Sequence, residues 1–133
     1  MIETLGVTTR KRIELVDMTE QVRAALRKLR LTSGVIIVYV PHTTAAVTIN
    51  ENADPSVGRD ISGVLSRLVP AGADYEHTEG NADAHAKAAL VGSSVTIIVE
   101  GGELVLGTWQ GIFFCEFDGP RNRKVLVKVI AEQ

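Results

Sequence analysis

The chain has few of the features that mark secreted or membrane-spanning proteins. Its 133 residues include a single cysteine, Cys115, so no disulfide can form within the chain. A lone cysteine suits a reducing compartment, and a free cysteine is more often a small buried residue than a reactive one. The longest apolar run, Val35 to Val40, is far too short to cross a bilayer. Met1 to Leu5 lacks the basic segment and apolar run of a signal peptide. We therefore predict a cytoplasmic protein.

Positive charge is not in excess either. Fourteen Lys and Arg stand against sixteen Asp and Glu, which gives a net charge of −2, and the isoelectric point is near 5.9. This balance argues against a large basic surface for nucleic acid. The hydrophobic fraction of 45% and the charged fraction of 23% are typical of a folded domain. The length suits one domain over residues 1–133.

Hydrophobic periodicity predicts an α+β domain with a mostly antiparallel sheet. Three helices are expected: one after Asp17, one after Asp54-Pro55, and one from Ala82 to about Val91. For the second helix the pattern predicts a buried stripe, formed by Val57, Ile61, Val64, Leu65 and Leu68. The run Val35 to Val40 has no polar alternation and predicts a central strand buried on both faces. From Ser94 onward, short strands alternate with turns, which favours hairpins.

Three histidines lie at the ends of predicted elements. His42 follows the central strand, His77 lies in the longest loop, and His85 lies one turn into the third helix. Imidazoles at strand ends and helix starts are well placed to converge over one end of a sheet. Three of them would suit Zn²⁺ or a similar ion, with water in the open position of a catalytic site. The alternative is that each ring makes its own local hydrogen bonds, because the spacings match no regular metal signature.

Two other segments have polar residues that packing does not explain. Glu51 stands between two asparagines at a strand end, where it could accept a proton or bind a metal. The segment Gly107 to Gly111 encloses the only tryptophan between glycines, which permits a close approach to the backbone. Trp109 could therefore contact a flat ligand, or it could cover the core. Arg121 could bind a phosphate, or it could face water in a hairpin turn.

These segments resemble signatures of the YjbQ family. The resemblance extends over nearly the whole chain. It is carried by Pro41 to Ala46 with Ile49 to Pro55, by Tyr75 to His77 with Gly80 to His85, and by Ser94 to Ile112 with Glu116 to Arg121. One departure is the loop between His77 and His85, which is compact here and is longer and more acidic in some family members.

The resemblance implies an α+β fold that forms a homotrimer, with sheets packed around a three-fold axis. The long apolar hairpins also favour a homo-oligomer, since they would otherwise expose edges or a face. The resemblance further implies a polar pocket to which all three histidines contribute, and a secondary thiamine phosphate synthase activity. This activity joins a pyrimidine diphosphate to a thiazole phosphate. A divalent ion (Zn or Mg) and Arg121 would stabilise the departing diphosphate. Gly101-Gly102 does not form a phosphate-binding loop, because a strand and not a helix follows it.

Specific roles are predicted for the candidate residues. As catalytic residues we predict Glu51, His42, Asn50 and Gln110. As substrate contacts we predict Trp109, Thr108, Arg121 and Asn81. As metal ligands we predict His42, His77 and His85. Two other classes of function stay open: a metal-dependent hydrolase with Glu51 as general base on a metal-bound water, and a non-catalytic trimeric protein that binds a metal or small anion.

Overall fold

Eight strands and three helices make up the chain, and the computed structural model describes all residues, 1–133. The strands are β1 (Ile2–Thr8), β2 (Glu14–Asp17), β3 (Ser33–Tyr39), β4 (Ala45–Glu51), β5 (Ser94–Glu100), β6 (Glu103–Leu104), β7 (Gln110–Glu116) and β8 (Asn122–Ala131). The helices are α1 (Thr19–Leu29), α2 (Pro55–Leu68) and α3 (Ala82–Val91). None of these helices is long and apolar enough to span a membrane.

The strands form two antiparallel sheets, which confirms the predicted fold class. The larger sheet has the order β1-β8-β3-β5-β6, and the smaller has the order β2-β7-β4. In the smaller sheet, Ala45 of β4 pairs with Glu116, and Glu51 at the other end pairs with Gln110. This register decides which polar residues lie together, because the two ends of β4 belong to different regions of the surface.

The smaller sheet packs on both of its faces. Side chains alternate between the faces of a strand. Val47 and Phe114 therefore join the main core with α1 and the larger sheet. Ala46 and Cys115 point the other way and pack with Ala88 of α3. Cys115 is buried, as predicted, and burial raises the pKa of its thiol to about 12. The small side chains between α3 and β4 let the helix approach the sheet closely.

The predicted helix after Asp17 is confirmed as α1. Val22 and Leu26 are buried against the main core. Asp17 lies two residues before the helix, and its Oδ1 accepts hydrogen bonds from the backbone N of Thr19 at 2.9 Å and from its hydroxyl at 2.6 Å. The carboxylate thus satisfies a free N–H of the first turn. Glu20 does not complete a reciprocal cap, since it pairs with an arginine of the helix.

The predicted buried stripe of α2 is wrong for a single chain. Asp54 does cap this helix, accepting from the backbone N of Ser56 at 2.9 Å, and Pro55 is its first residue. No residue of α2 is buried, however, and Val64 and Leu68 are 44% and 70% exposed. Periodicity identifies an apolar face, but it does not identify what covers that face. Helix α2 therefore presents its apolar side at the surface.

Strand β3 is central, as predicted, but it is buried on one face only. Ile36 and Val38 are inaccessible in the main core. On the opposite face, Val35 pairs with Ile98 and with Ile130, and those two isoleucines are 60% and 52% exposed. The larger sheet thus has an outer face that this chain leaves uncovered.

Candidate functional site

The histidines lie at the end of the molecule where β4 and α3 begin. The rings of His77 and His85 meet edge to face, with centroids 5.3 Å apart and an interplanar angle of 81°. His42 lies between β3 and β4 and lines, together with His85, a groove of about 290 Å³. His85 therefore contacts one of the other two rings and shares a groove with the second. No group of three or more His, Cys, Asp or Glu side chains is arranged to hold a metal ion.

Helix α3 determines where His85 points. Ala84 and Ala88, four residues apart, pack against the smaller sheet together with Phe113. His85 follows Ala84, so its ring lies at the side of this packed face and lines the groove rather than the core. The predicted third helix, with its alanine packing positions, is thus confirmed.

Asn81 orients the ring of His77. Its Oδ1 lies 2.9 Å from His77 Nε2, and its Nδ2 donates to Asp118 Oδ2 at 2.8 Å. A carboxylate can only accept, so the amide must present its oxygen to the imidazole. His77 Nε2 therefore carries a proton, and the lone pair of the neutral ring lies on Nδ1. Asn81 is the N-cap residue of α3, yet its side chain makes no cap hydrogen bond and contacts His77 instead.

Asp118 links this arrangement to Arg121. The guanidinium donates from Nη2 to Asp118 Oδ2 at 3.0 Å and from Nε to the backbone oxygen of Asp118 at 2.8 Å. Burial opposes the charged form of Asp118, but the hydrogen bonds from Asn81 and Arg121 outweigh it and lower the pKa of the carboxyl. The side chain of Arg121 is 53% exposed. It keeps donors for a ligand, and the predicted phosphate contact stays a prediction.

His42 is held by the backbone of β8. The N–H of Lys124 donates to His42 Nε2 at 3.0 Å. Burial, and then the positive charge of Arg123, lower the pKa of His42. This hydrogen bond occupies the lone pair on Nε2. His42 would need that lone pair to act as the predicted metal ligand through Nε2.

A buried polar network supports the His42 loop. Glu116 is inaccessible and accepts from Arg123 Nε at 2.8 Å, from the Thr9 hydroxyl at 2.8 Å and from the backbone N of Asp118 at 3.0 Å. A second guanidinium nitrogen of Arg123 bonds the other oxygen of Glu116 and also donates to the Thr44 hydroxyl at 2.9 Å. Burial opposes ionisation of Glu116, but these bonds outweigh it and lower its pKa. The network joins β7 and β8 to the loop that carries His42.

Sequence reasoning missed this network. The available signal is a charge within an apolar strand, since Glu116 interrupts Phe113 to Phe117 and Arg123 has the same parity as the apolar residues of β8. A charge on an inward face needs a partner, but the pattern does not identify which one.

A second buried ion pair lies within α3. Asp83 and Lys87 are each 1% exposed and meet at 2.7 Å. Arg12 adds two hydrogen bonds to Asp83, at 2.9 and 3.2 Å. Burial would raise the pKa of Asp83, but the bonds from Arg12 and Lys87 outweigh it and lower the pKa to about 2. The spacing of four residues between Asp83 and Lys87 was a usable sequence signal. Arg12 lies too far along the chain to have been predicted.

The other predicted catalytic residues lie at the far end of β4. Glu51 pairs with Gln110, and Asn50 pairs with Gly111. Their polar groups are used locally: Asn50 Oδ1 accepts from the backbone N of Glu51 at 2.8 Å, and Gln110 Oε1 accepts from the backbone N of Gly107 at 2.8 Å. A strand rises about 3.4 Å per residue, so β4 is about 20 Å long, with these residues at one end and the His42 loop joined to the other. One chain does not bring Glu51, Asn50 and Gln110 to the histidines.

The tryptophan segment lies beside Glu51. Thr108 and Trp109 form the turn before β7, and Trp109 is 63% exposed, so it does not cover the core. The backbone oxygen of Trp109 accepts from the backbone N of Asn52 at 3.0 Å. A Cβ added to Gly111 would lie 2.4 Å from the side chain of Asn52, which explains the glycine. Neither Thr108 nor Trp109 lines the histidine groove.

Comparison with known proteins identifies the family. The sequence profile described as UPF0047 protein YjbQ-like matches residues 3–132. The chain belongs to this family. It is 54% identical over 133 residues to UPF0047 protein MJ1081 of Methanocaldococcus jannaschii, covering 100% of this chain and 96% of that protein. It is 49% identical over 131 residues to UPF0047 protein YugU of Bacillus subtilis, covering 98% and 99%.

Solved structures of YjbQ-like proteins have the same fold. The crystal structure of an uncharacterised member from Clostridium acetobutylicum is 51% identical, covers 96% of this chain and 99% of that one, and superposes with a TM-score of 0.94. A protein of unknown function from Sulfolobus solfataricus, 33% identical, covers 99% and 97% with a TM-score of 0.95. The α+β fold with three helices and antiparallel sheets is therefore that of the YjbQ family.

Proposed function

We propose that this YjbQ-like protein binds a divalent metal ion and a phosphorylated small molecule at its histidine groove. The observation that carries the proposal is the pair His77 and His85, whose ring centroids lie 5.3 Å apart. Two imidazoles that share one tetrahedral Zn²⁺, with Zn–N bonds of about 2.0–2.1 Å, have centroids about 5 Å apart. The observed spacing therefore fits two ligands of one ion.

The surroundings of His77 also fit a metal ligand. Histidines that bind metals usually donate their other ring N–H to a carboxylate or carbonyl group, which fixes the tautomer. Asn81 Oδ1 accepts in this way from His77 Nε2, and Asp118 holds the amide. His77 Nδ1 and His85 would hold the ion, and water or ligand oxygens would fill the remaining positions. An ion there would act as a Lewis acid on a phosphate oxygen.

Positive charge beside the histidines supports a phosphorylated ligand. Arg121 is positioned by Asp118 and remains 53% exposed. A guanidinium presents several donors in a planar fork that matches phosphate oxygens. Lys124, whose backbone bonds His42, is also exposed. These groups would bind and neutralise the phosphate, while His42 and His85 line the groove that takes the rest of the ligand.

Among reactions of phosphorylated small molecules, we propose thiamine phosphate synthesis, because the family resemblance implies that activity. In that reaction a C–O bond to the diphosphate of the pyrimidine breaks, and the thiazole nitrogen forms a C–N bond to the same carbon. Arg121 would stabilise the diphosphate as it leaves. The alternative of a hydrolase with Glu51 as general base has weaker support, because Glu51 and the His42 loop lie at opposite ends of β4, which is about 20 Å long.

The proposal is tested by titrating metal-free protein with ZnCl₂, and in parallel with MgCl₂, in a calorimeter. We expect one ion per chain, with binding at least tenfold weaker in His77→Ala and His85→Ala. Glu20→Ala, on the exposed side of α1, is the control and should bind like wild type. In a second arm, the two phosphorylated thiamine precursors are incubated with the same proteins. Equal affinity in all four proteins, or product formation that His85→Ala leaves unchanged, would refute the site.

We also propose that the protein assembles as a homotrimer. In its support, the apolar face of α2 and the outer face of the larger sheet are both exposed in the single chain, and apolar areas of this kind mark interfaces. A role for Glu51 at the histidines would require a second copy.

Sedimentation equilibrium should give three times the chain mass of 14.3 kDa. Val64→Lys on α2 should lower this mass, whereas Glu103→Lys on β6 should not. A wild-type mass of one chain would refute the trimer.

A further inference from the structure

We infer that His42 is held as its neutral Nδ1–H tautomer and serves the groove as a hydrogen-bond donor to an oxygen of the ligand, not as a metal ligand. The role toward a ligand rests on the proposed function. The tautomer itself is a property of the chain without metal or ligand, so the two can be tested separately.

The tautomer follows from the partner of His42. A backbone N–H can only donate, so the 3.0 Å contact from Lys124 N to His42 Nε2 requires a lone pair on Nε2. A doubly protonated imidazolium has no lone pair, so the ring is neutral while this bond exists. The single proton of a neutral ring with a free Nε2 must then lie on Nδ1.

The geometry of this bond is fixed from both sides. On one side, Arg123 precedes Lys124 and is bound by two hydrogen bonds to the inaccessible Glu116. On the other side, Thr44, two residues after His42, accepts from Arg123 Nη2 at 2.9 Å. The buried network therefore holds the start of β8 and the His42 loop together. The positive charge of Arg123 and the burial of the ring both oppose a second proton on His42.

The Nδ1–H group is available to a ligand. It has no acceptor within the chain, and His42 lines the groove together with His85 and Ser93. A donor beside the proposed metal pair suits a ligand with several acceptor oxygens, such as a phosphate or diphosphate. His77 has the opposite tautomer, with its proton on Nε2 and its lone pair on Nδ1. The groove would thus offer one N–H donor from His42 and one metal-binding lone pair from His77.

The tautomer is read directly by NMR. The full chain is labelled with ¹⁵N, freed of metal, and placed well above the ordinary histidine pKa of about 6.5. Two-bond ¹H–¹⁵N correlations then show which ring nitrogen carries the proton, and loss of signals in His42→Ala assigns them. We expect protonated Nδ1 for His42 and protonated Nε2 for His77. Because a histidine side chain in water favours Nε2–H, an Nδ1–H signal requires a specific partner. A protonated Nε2 at His42 would overturn the inference.

The donor role is tested with pyrophosphate as the probe. An asparagine places its N–H₂ close to the position of Nδ1, whereas a glutamine places its amide near Nε2. We therefore expect His42→Asn to keep pyrophosphate affinity close to wild type, and His42→Gln and His42→Ala to bind about tenfold more weakly. Equal affinity in all four proteins would overturn the donor role. Absence of binding to wild type would refute the proposed ligand class and the donor role with it, while the tautomer result would stand.

Discussion

Replacing Glu116 with glutamine should lower the free energy of unfolding by about 3–5 kcal/mol, as expected when one partner of a buried ion pair is removed. Glu116 is inaccessible, and Arg123 is 6% exposed. Glutamine has nearly the same shape, but it cannot neutralise the guanidinium and its N–H₂ group would face other donors. The buried charge of Arg123 would therefore lose its counter-charge. Because the amide keeps only one oxygen, one of the two other donors, the Thr9 hydroxyl or the backbone N of Asp118, would lose its acceptor.

The measurement is urea unfolding of wild type and Glu116→Gln, extrapolated linearly to water. Glu20→Gln is the matched control. It removes the same charge from an ion pair with Arg23, but Glu20 is 78% exposed and Arg23 43% exposed. Exposed pairs contribute about 0–1 kcal/mol, so this variant should unfold nearly like wild type. A Glu116→Gln protein as stable as Glu20→Gln would contradict the assigned role of the network.

The second large effect is expected for Asp83→Asn. Lys87 is 1% exposed, and Asp83 is the acceptor that its ammonium contacts. The variant should lose about 3–5 kcal/mol, because a buried ammonium is left without its counter-charge. The double variant Asp83→Leu, Lys87→Met removes both charges and should recover at least half of the loss. Arg12, whose side chain is 39% exposed, can then turn to water. A double variant that is less stable than Asp83→Asn would contradict this explanation.

Asp83 should also make the wild-type protein less stable in acid. The pKa of Asp83 is lowered from 3.8 to about 2 in the folded chain. As the pH falls, the unfolded chain therefore takes up this proton first. The stability that Asp83 contributes is fully present above pH 3.8 and is lost as the pH falls through about 2. Urea unfolding across this range should show a steeper fall in wild type than in Asp83→Asn. Glu116 and Asp118, whose pKa values are also lowered, contribute a fall that both proteins share. Parallel pH profiles for the two proteins would contradict the assignment.

The sequence predicted where the helices and strands lie better than it predicted what each of them packs against. Helix α3 was predicted from Ala82 to about Val91 because a capping position and small packing residues define it locally. The apolar faces of α2 and β3 were also recognised. The prediction that the α2 stripe and both faces of β3 are buried was wrong for the single chain, since a repeating pattern carries no information about the surface opposite. The network around Glu116 was missed for a related reason. Its partner Thr9 lies 107 residues away. The two meet only because the sheet that contains β1 and β8 packs beside the sheet that contains β7.

In the candidate site, too, the contacts set by local structure were predicted better than those that depend on the rest of the fold. His77 and His85 are close in sequence and are joined by a short loop and the first turn of α3, so local structure brings their rings together. The segment Pro41 to Pro55 is continuous in sequence, which suggested one site for His42 and Glu51. It contains the whole of β4, however, and an extended strand carries its two ends far apart. Contiguity along a strand is thus a poor guide to proximity.

The most direct test of the histidine site is anomalous diffraction from crystals of the full chain soaked with Zn²⁺. We expect one zinc peak per chain, about 2.0–2.1 Å from His77 Nδ1 and from one ring nitrogen of His85. We also expect the bond from Lys124 N to His42 Nε2 to remain in place. A histidine groove without zinc, or a peak bound by the residues around Glu51 and Gln110 instead, would contradict the proposed site.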